Sequence, residues 1–165
     1  MSMTLSLLQN NGYEFVMCQT EVVDADCNLV GFSKRKKKVS YNSTLVVNYI
    51  GTSAVIYDTK NVGKVYMRPI RHSQDWVLWL DILKKARYAY CLEKPLSVYR
   101  ETPGSLSSNK SKYIGYHIKI YQEVFGFSKV KAMFYMYCLS LPCFVLKKLR
   151  NRYYSKKYLK NHKNG

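Results

Sequence analysis

Acidic side chains are scarce in this chain. Ten Asp and Glu stand against 27 Lys and Arg, a formal net charge of +17 over 165 residues. A surface so short of negative charge leaves polyanions as partners: nucleic acid, anionic lipid headgroups or phosphorylated small molecules. The imbalance is uneven, since beyond Lys110 the sole acid is Glu123, and a second basic cluster is the run Lys34-Arg35-Lys36-Lys37-Lys38. The stretch from Asn48 to Pro103 is closer to neutral.

Cysteine pairs of the metal-binding kind are absent. The five cysteines, Cys18, Cys27, Cys91, Cys138 and Cys143, are odd in number and include no C-x-x-C. No His stands near them at zinc-like spacing, so they read as reduced, mostly buried thiols of a cytoplasmic protein. Met1–Asn10 has no basic segment leading into an apolar one, which argues against a secretory signal. Also missing is an apolar run of the ~20 residues a membrane span needs. The longest, Ala132 to Leu146, is interrupted by Pro142. No internal repeat is visible.

What is present is a foldable composition. Hydrophobic residues make up 47% of the chain, enough to set wholesale disorder aside. The length suits one domain. Tyr13–Cys18 reads as a strand after the turn pair Asn11-Gly12, and Val22-Val23 and Leu29-Val30 flank a polar turn at Asp24–Asn28. The Lys34–Lys38 block reads as a solvated loop, since like charges repel. Ser40 is placed to cap a short helix over Tyr41–Asn48. Ile50 to Tyr57 is dense in β-formers and predicts a buried strand.

Ser73 is placed as the N-cap of a helix reaching about Lys85. Trp76, Trp79, Leu80 and Leu83 fall at i, i+3, i+4 and i+7, a single apolar stripe, with Lys84 and Lys85 suited to the last turn. Tyr88–Leu92 and Leu96–Arg100 predict two short strands broken by Glu93-Lys94-Pro95. Thr102–Ser105 reads as a loop, and a further helix spans about Asn109 to Phe125, broken at Gly126. The apolar run from Ala132 and the dense basic tail after it suit a helix lying in the interface of an anionic membrane, against a core helix with a solvated tail.

In this setting Gln74-Asp75-Trp76-Val77-Leu78-Trp79 resembles the (E/Q)-D-(W/Y)-x-L-W motif of family 2, GT-A type bacterial glycosyltransferases. Those enzymes build capsule, O-antigen or teichuronic-type polysaccharide. The order is similar too: a strand like Ile50–Tyr57 before the motif, then Pro95–Arg100 and Gly104-Ser105-Leu106-Ser107 after it. The likeness extends over roughly Leu8 to Asn109.

The resemblance implies an α/β fold: an incomplete, Rossmann-like GT-A domain over residues 1–127, lacking the N-terminal nucleotide-binding strands. Residues 128–165 then form a basic, partly apolar helical tail. It implies inverting transfer of a sugar from a nucleotide diphosphate donor, with Asp75 as the base that takes the acceptor hydroxyl's proton. The positive end of a helix dipole favours a negative charge there. Gln74, Trp76, Thr52 and Ser53 would lie on the acceptor side, and Arg100 could pair with diphosphate oxygens. A plain surface salt bridge is the alternative for Arg100, and Trp79 reads as core.

The complete family enzyme is expected to use Mg or Mn held by a D-x-D motif. Asp24-Ala25-Asp26 spells that pattern but falls in a polar turn, so the expectation is a chain that holds no metal itself. Nucleotide-sugar donor and lipid-linked glycan acceptor are the partners the resemblance implies, at the inner face of the cell membrane. The chain then reads as truncated, or as completed by an N-terminal polypeptide. Two rivals are a non-catalytic membrane-surface or assembly protein and a basic nucleic-acid-binding module. The latter has charge and 16 tyrosines in its favour but no known module.

Overall fold

Six consecutive residues from Phe15 to Thr20 are buried, and they belong to a central strand, β1 (Phe15–Val23). A strand covered on both faces needs a near-continuous apolar run, which Phe15-Val16-Met17-Cys18 supplies. The computed structural model describes residues 12–101 and 113–163. The predicted loop Thr102–Ser105, the motif segment Gly104–Ser107, the helix start at Asn109 and the stretch from Leu8 to Asn11 lie outside the described residues.

Along one edge β1 pairs in parallel with β5 (Tyr88–Arg100). Along the other it pairs antiparallel with β2 (Leu29–Ser33) and β4 (Val55–Tyr57). β3 (Lys38–Ser40) closes the far side of β5, giving the order β2-β1-β5-β3 with β4 also on β1. The fold is mixed α/β, as the sequence predicts.

The predicted strand–turn–strand around Asp24–Asn28 is present. Asp24 Oδ1 accepts from the Asp26 and Asn28 backbone N–H groups at 3.0 and 2.9 Å. Ser40 caps α1 (Tyr41–Val46) in a reciprocal pair with Ser43, although the helix stops two residues short of the predicted Asn48. A four-residue helix, α2 (Thr59–Val62), follows β4.

Several expectations are corrected. Ile50–Tyr57 is not one buried strand: Thr52–Ala54 form a 3-10 turn, and only Val55–Tyr57 pair with β1. The break arises because Gly51 lies against the Arg35 guanidinium, so the chain bends around that group before it can join the sheet. Tyr88–Leu92 and Leu96–Arg100 are a single strand. Glu93-Lys94 bulge out of the ladder, since Cys18 faces Leu92 and Gln19 faces Pro95. Pro95, with no N–H to give, is tolerated at such an irregularity. The cysteines are not mostly buried: Cys18 is, Cys91 and Cys143 are half-buried, and Cys27 and Cys138 are exposed.

The motif helix is α3 (Gln74–Ala86). Ser73 is its N-cap, as predicted: its carbonyl accepts from the Val77 N–H at 3.2 Å, but with a φ of 55° its side chain makes no cap bond. The apolar stripe is wider than predicted and serves two cores. Trp79, Ile82 and Leu83 pack with Phe15, Met17 and Ala89, while Trp76, Val77 and Leu80 pack with Tyr121 and Met136.

The C-terminal part contributes α4 (Tyr113–Glu123), then a turn at Gly126, whose φ is 68°. Ser128 caps α5 (Lys129–Phe134), which runs through a π-helical turn at Tyr135–Ser140 into α6 (Leu141–Lys163). Within the π turn the Leu141 N–H reaches back to the Met136 carbonyl. Pro142 lacks a donor, and the widened turn lets the chain pass it without breaking. The basic tail is therefore helical, and part of it rests on the sheet. Phe32 N–H donates to Ser155 Oγ at 3.0 Å, and the Tyr158 ring stacks on Phe32 with centroids 4.3 Å apart.

Candidate active site

Asp75 sits half-buried in the first turn of α3, facing the loop that leaves α1. That loop is fixed locally, because Asn48 Oδ1 accepts from the Ile50 N–H at 2.9 Å. The same side chain turns its amide nitrogen toward Asp75 Oδ2 at 3.5 Å, and Thr52 Oγ1 donates to that oxygen at 3.3 Å. Among the described residues no hydrogen bond reaches Oδ1. One oxygen is thus positioned and the other left open, an arrangement suited to accepting a proton.

Arg35 organises the loop from beneath. Its guanidinium and Nε donate to the Cys18 carbonyl at 3.0 Å, the Tyr49 carbonyl at 3.1 Å and Thr20 Oγ1 at 2.9 Å. Burial lowers its pKa from the ordinary arginine value. The Lys34–Lys38 block is therefore not simply a solvated loop: one of its members turns inward, where three acceptors outweigh the repulsion of its neighbours. Tyr49 lies beneath three cations, with Lys36, Lys147 and Arg150 at 4.4, 5.5 and 5.7 Å from its ring centroid.

The fourth wall comes from α6. Lys147 donates to the Asn48 carbonyl, tying the helix to the loop that holds Asp75. Burial, followed by the repulsion of Arg35 and Arg150, pushes the Lys147 ammonium down to about 8, with Asp75 pulling the other way. Between α6, β2, the end of β5 and the 3-10 turn runs a cleft of about 1230 Å³, whose wall includes Thr52, Ser53, Phe32, Tyr99, Lys147 and Arg152. Asn151 also lines it, and its Oδ1 is buried without a hydrogen-bond partner.

The expected site residues meet different fates. Thr52 and Ser53 are exposed on the cleft wall, and Thr52 touches Asp75. Gln74 is exposed, with its amide nitrogen committed to the Ile70 carbonyl. Trp76 is 1% exposed; its indole N–H donates to the Thr44 carbonyl at 2.6 Å and its ring stacks on His117. At that burial no face of it is open to a sugar. Arg100 donates to Cys27 Sγ at 3.0 Å, while its strand neighbours Tyr99 and Glu101 line the cleft. Strand alternation turns Arg100 away from the cleft, which Asp75 does not line either.

Sequence reasoning missed Arg35, Asn48 and Lys147. Nothing local distinguishes them, since their roles are set by carbonyls and carboxylates distant in the chain. The metal that the family resemblance implies does not fit the described residues: they contain no group of three His, Cys, Asp or Glu side chains able to hold an ion. Asp24 is taken up by its own turn, with Asn28 Nδ2 on Oδ2 as well as the backbone donors on Oδ1.

No protein-family model matches the chain. Two curated relatives do. Over 93 residues the chain is 33% identical to the putative teichuronic acid biosynthesis glycosyltransferase TuaG of Bacillus subtilis (strain 168), covering 56% of this chain and 37% of that protein. Over 113 residues it is 30% identical to UDP-Glc:alpha-D-GlcNAc-diphosphoundecaprenol beta-1,3-glucosyltransferase WfgD of Escherichia coli, covering 68% of this chain and 44% of that protein. The match takes in less than half the length of either relative. Both relatives are named as glycosyltransferases, the class of enzyme to which the sequence resemblance points.

Proposed function

We propose that this chain supplies the acceptor side of a glycosyltransferase, with Asp75 as general base. The observation that carries it is the Asp75 carboxylate, held through one oxygen by Thr52 and Asn48 with the other left open. Asp75 takes the proton of an acceptor hydroxyl as that oxygen bonds to the donor's anomeric carbon. The bond from that carbon to the nucleoside diphosphate breaks, with inversion, and the diphosphate leaves with the electron pair. A nucleotide-sugar is the donor and a lipid-linked glycan the acceptor, by analogy with the activity in the name of WfgD. The fold would be the acceptor part of a GT-A domain. Donor binding falls to residues beyond those described or to a complementing polypeptide.

The test is transfer of radiolabelled sugar from UDP-sugars to diphospholipid-linked saccharides, with and without an N-terminal donor-binding polypeptide from a relative. Asp75→Asn should lower turnover by about 10²–10⁴-fold, the usual worth of a positioned base. Unchanged transfer by Asp75→Asn would reject the assignment. A second reading, a non-catalytic membrane-surface protein of transferase-like shape, is favoured by the absence of a metal donor set among the described residues. Absence of transfer in every combination would favour it.

A further inference from the structure

The continuous helix of α5, the π turn and α6 is inside-out over part of its length. Before Lys147 its inward face is apolar, with Ala132, Met136 and Phe144 in the cores. From there on it carries polar groups: Lys147 reaches Asn48, Ser155 bonds β2, Tyr158 bonds Glu21 at 2.5 Å, and Asn151 lines the cleft. Its outward face is apolar, with Val130, Phe134, Val145, Leu146, Leu149 and Tyr153 all exposed, Leu146 to 65%. A water-facing helix buries the opposite set. The outward residues need a second apolar surroundings.

The π turn keeps that face in line. Counted at the α-helical ~100° per residue, Leu149 would stand about 100° around the axis from Val130. A π turn takes up roughly one extra residue, which returns Val145, Leu149 and Tyr153 to the side of Val130 and Phe134. The exposed and buried positions on the two sides of the turn follow that realignment.

Charge names the occupant. No acid occurs from Lys129 to Lys163, and Lys131, Lys148, Arg152, Lys156, Lys157 and Lys160 are exposed beside the apolar face. Basic side chains flanking Leu, Val and aromatic groups match an interface of anionic headgroups over acyl chains. Nucleic acid would use the charge but leave the apolar face wet. No unbroken apolar run spans a bilayer, but by length and mean hydropathy a window of this helix is apolar enough to cross one, a correction to the sequence expectation. A crossing would nevertheless carry β2 and the polar inner face into hydrocarbon. We infer that the outer face of this helix lies flat on an anionic lipid bilayer, an inference independent of the transferase reading.

Flotation of the full chain with phosphatidylcholine vesicles, with and without phosphatidylglycerol, tests it. Binding should require the anionic lipid and fall with salt. Leu146→Asn with Leu149→Asn should weaken it about tenfold or more, by loss of buried apolar area, with circular dichroism unchanged. Should that variant fail to fold, Tyr153→Trp serves instead: its emission should shift to the blue on anionic vesicles and be quenched by shallow, not deep, labelled lipids. Equal binding to neutral vesicles, wild-type binding by the Asn variant, or no emission shift would overturn the proposal. So would a dimer in sedimentation equilibrium that the Asn variant abolishes while vesicles are ignored, which would give the face to a second copy.

Discussion

Burial pushes the His117 imidazole down to about 4, and that ring is stacked on Trp76, the residue directly after Asp75. The unfolded chain titrates this group near the ordinary value of about 6.5. As pH falls below about 6.5 the unfolded state takes up a proton that the folded state refuses. Stability should therefore drop between pH ~6.5 and ~4 and level off below, where both states are protonated, a loss of about 3 kcal/mol. His117→Phe keeps a ring against Trp76 and should remove this part of the slope in urea melts taken across that range. Persistence of the slope in the variant would show that other groups cause it. Asp75 thus stands on rigid packing: it is half-buried itself, and Trp76 beside it is a buried anchor.

At the scale of elements, the loop between α1 and β4 decides where Thr52 stands. A Cβ on Gly51 would collide with the Arg35 guanidinium, although the Gly51 backbone, with a φ of −103°, suits any residue. Gly51→Ala should then displace Arg35 from three acceptors and cost about 1–3 kcal/mol in equilibrium unfolding. In an Arg35→Met background the same substitution should cost markedly less, the signature of direct coupling. Additive losses would show that the collision is relieved some other way.

This loop also marks the limit of what the sequence discloses. β1, the Ser40 cap and α3 are legible because local pattern and tertiary need agree: a continuous apolar run, a Ser before a helix, a 3.6-residue stripe. Ile50–Tyr57 misleads because its β-formers compete with an arginine fifteen residues upstream. Glu93-Lys94-Pro95 reads as a break because parallel pairing across a bulge has no local signal. Asp75 is legible through its motif. Thr52 is named by the family resemblance, whereas Asn48 and Lys147 depend on which segments the sheet brings together.

At the scale of the whole molecule, α3 stands between two apolar cores and α6 along the sheet margin, with Lys147 linking that margin to the Asp75 loop. The contact with β2 has a consequence apart from any ligand. β2 ends the sheet, and helix side chains meet its margin: Ser155 takes the Phe32 N–H, and Arg150 donates to the Lys34 carbonyl just past the strand at 3.2 Å. A bare margin of this kind is a template for strands of other molecules. A chain ended before Lys147 should accordingly assemble into thioflavin-binding fibrils at concentrations where the full chain stays monodisperse. A soluble, monomeric shortened chain would refute this. The helix acts as a selvedge that keeps the sheet from being extended by its neighbours.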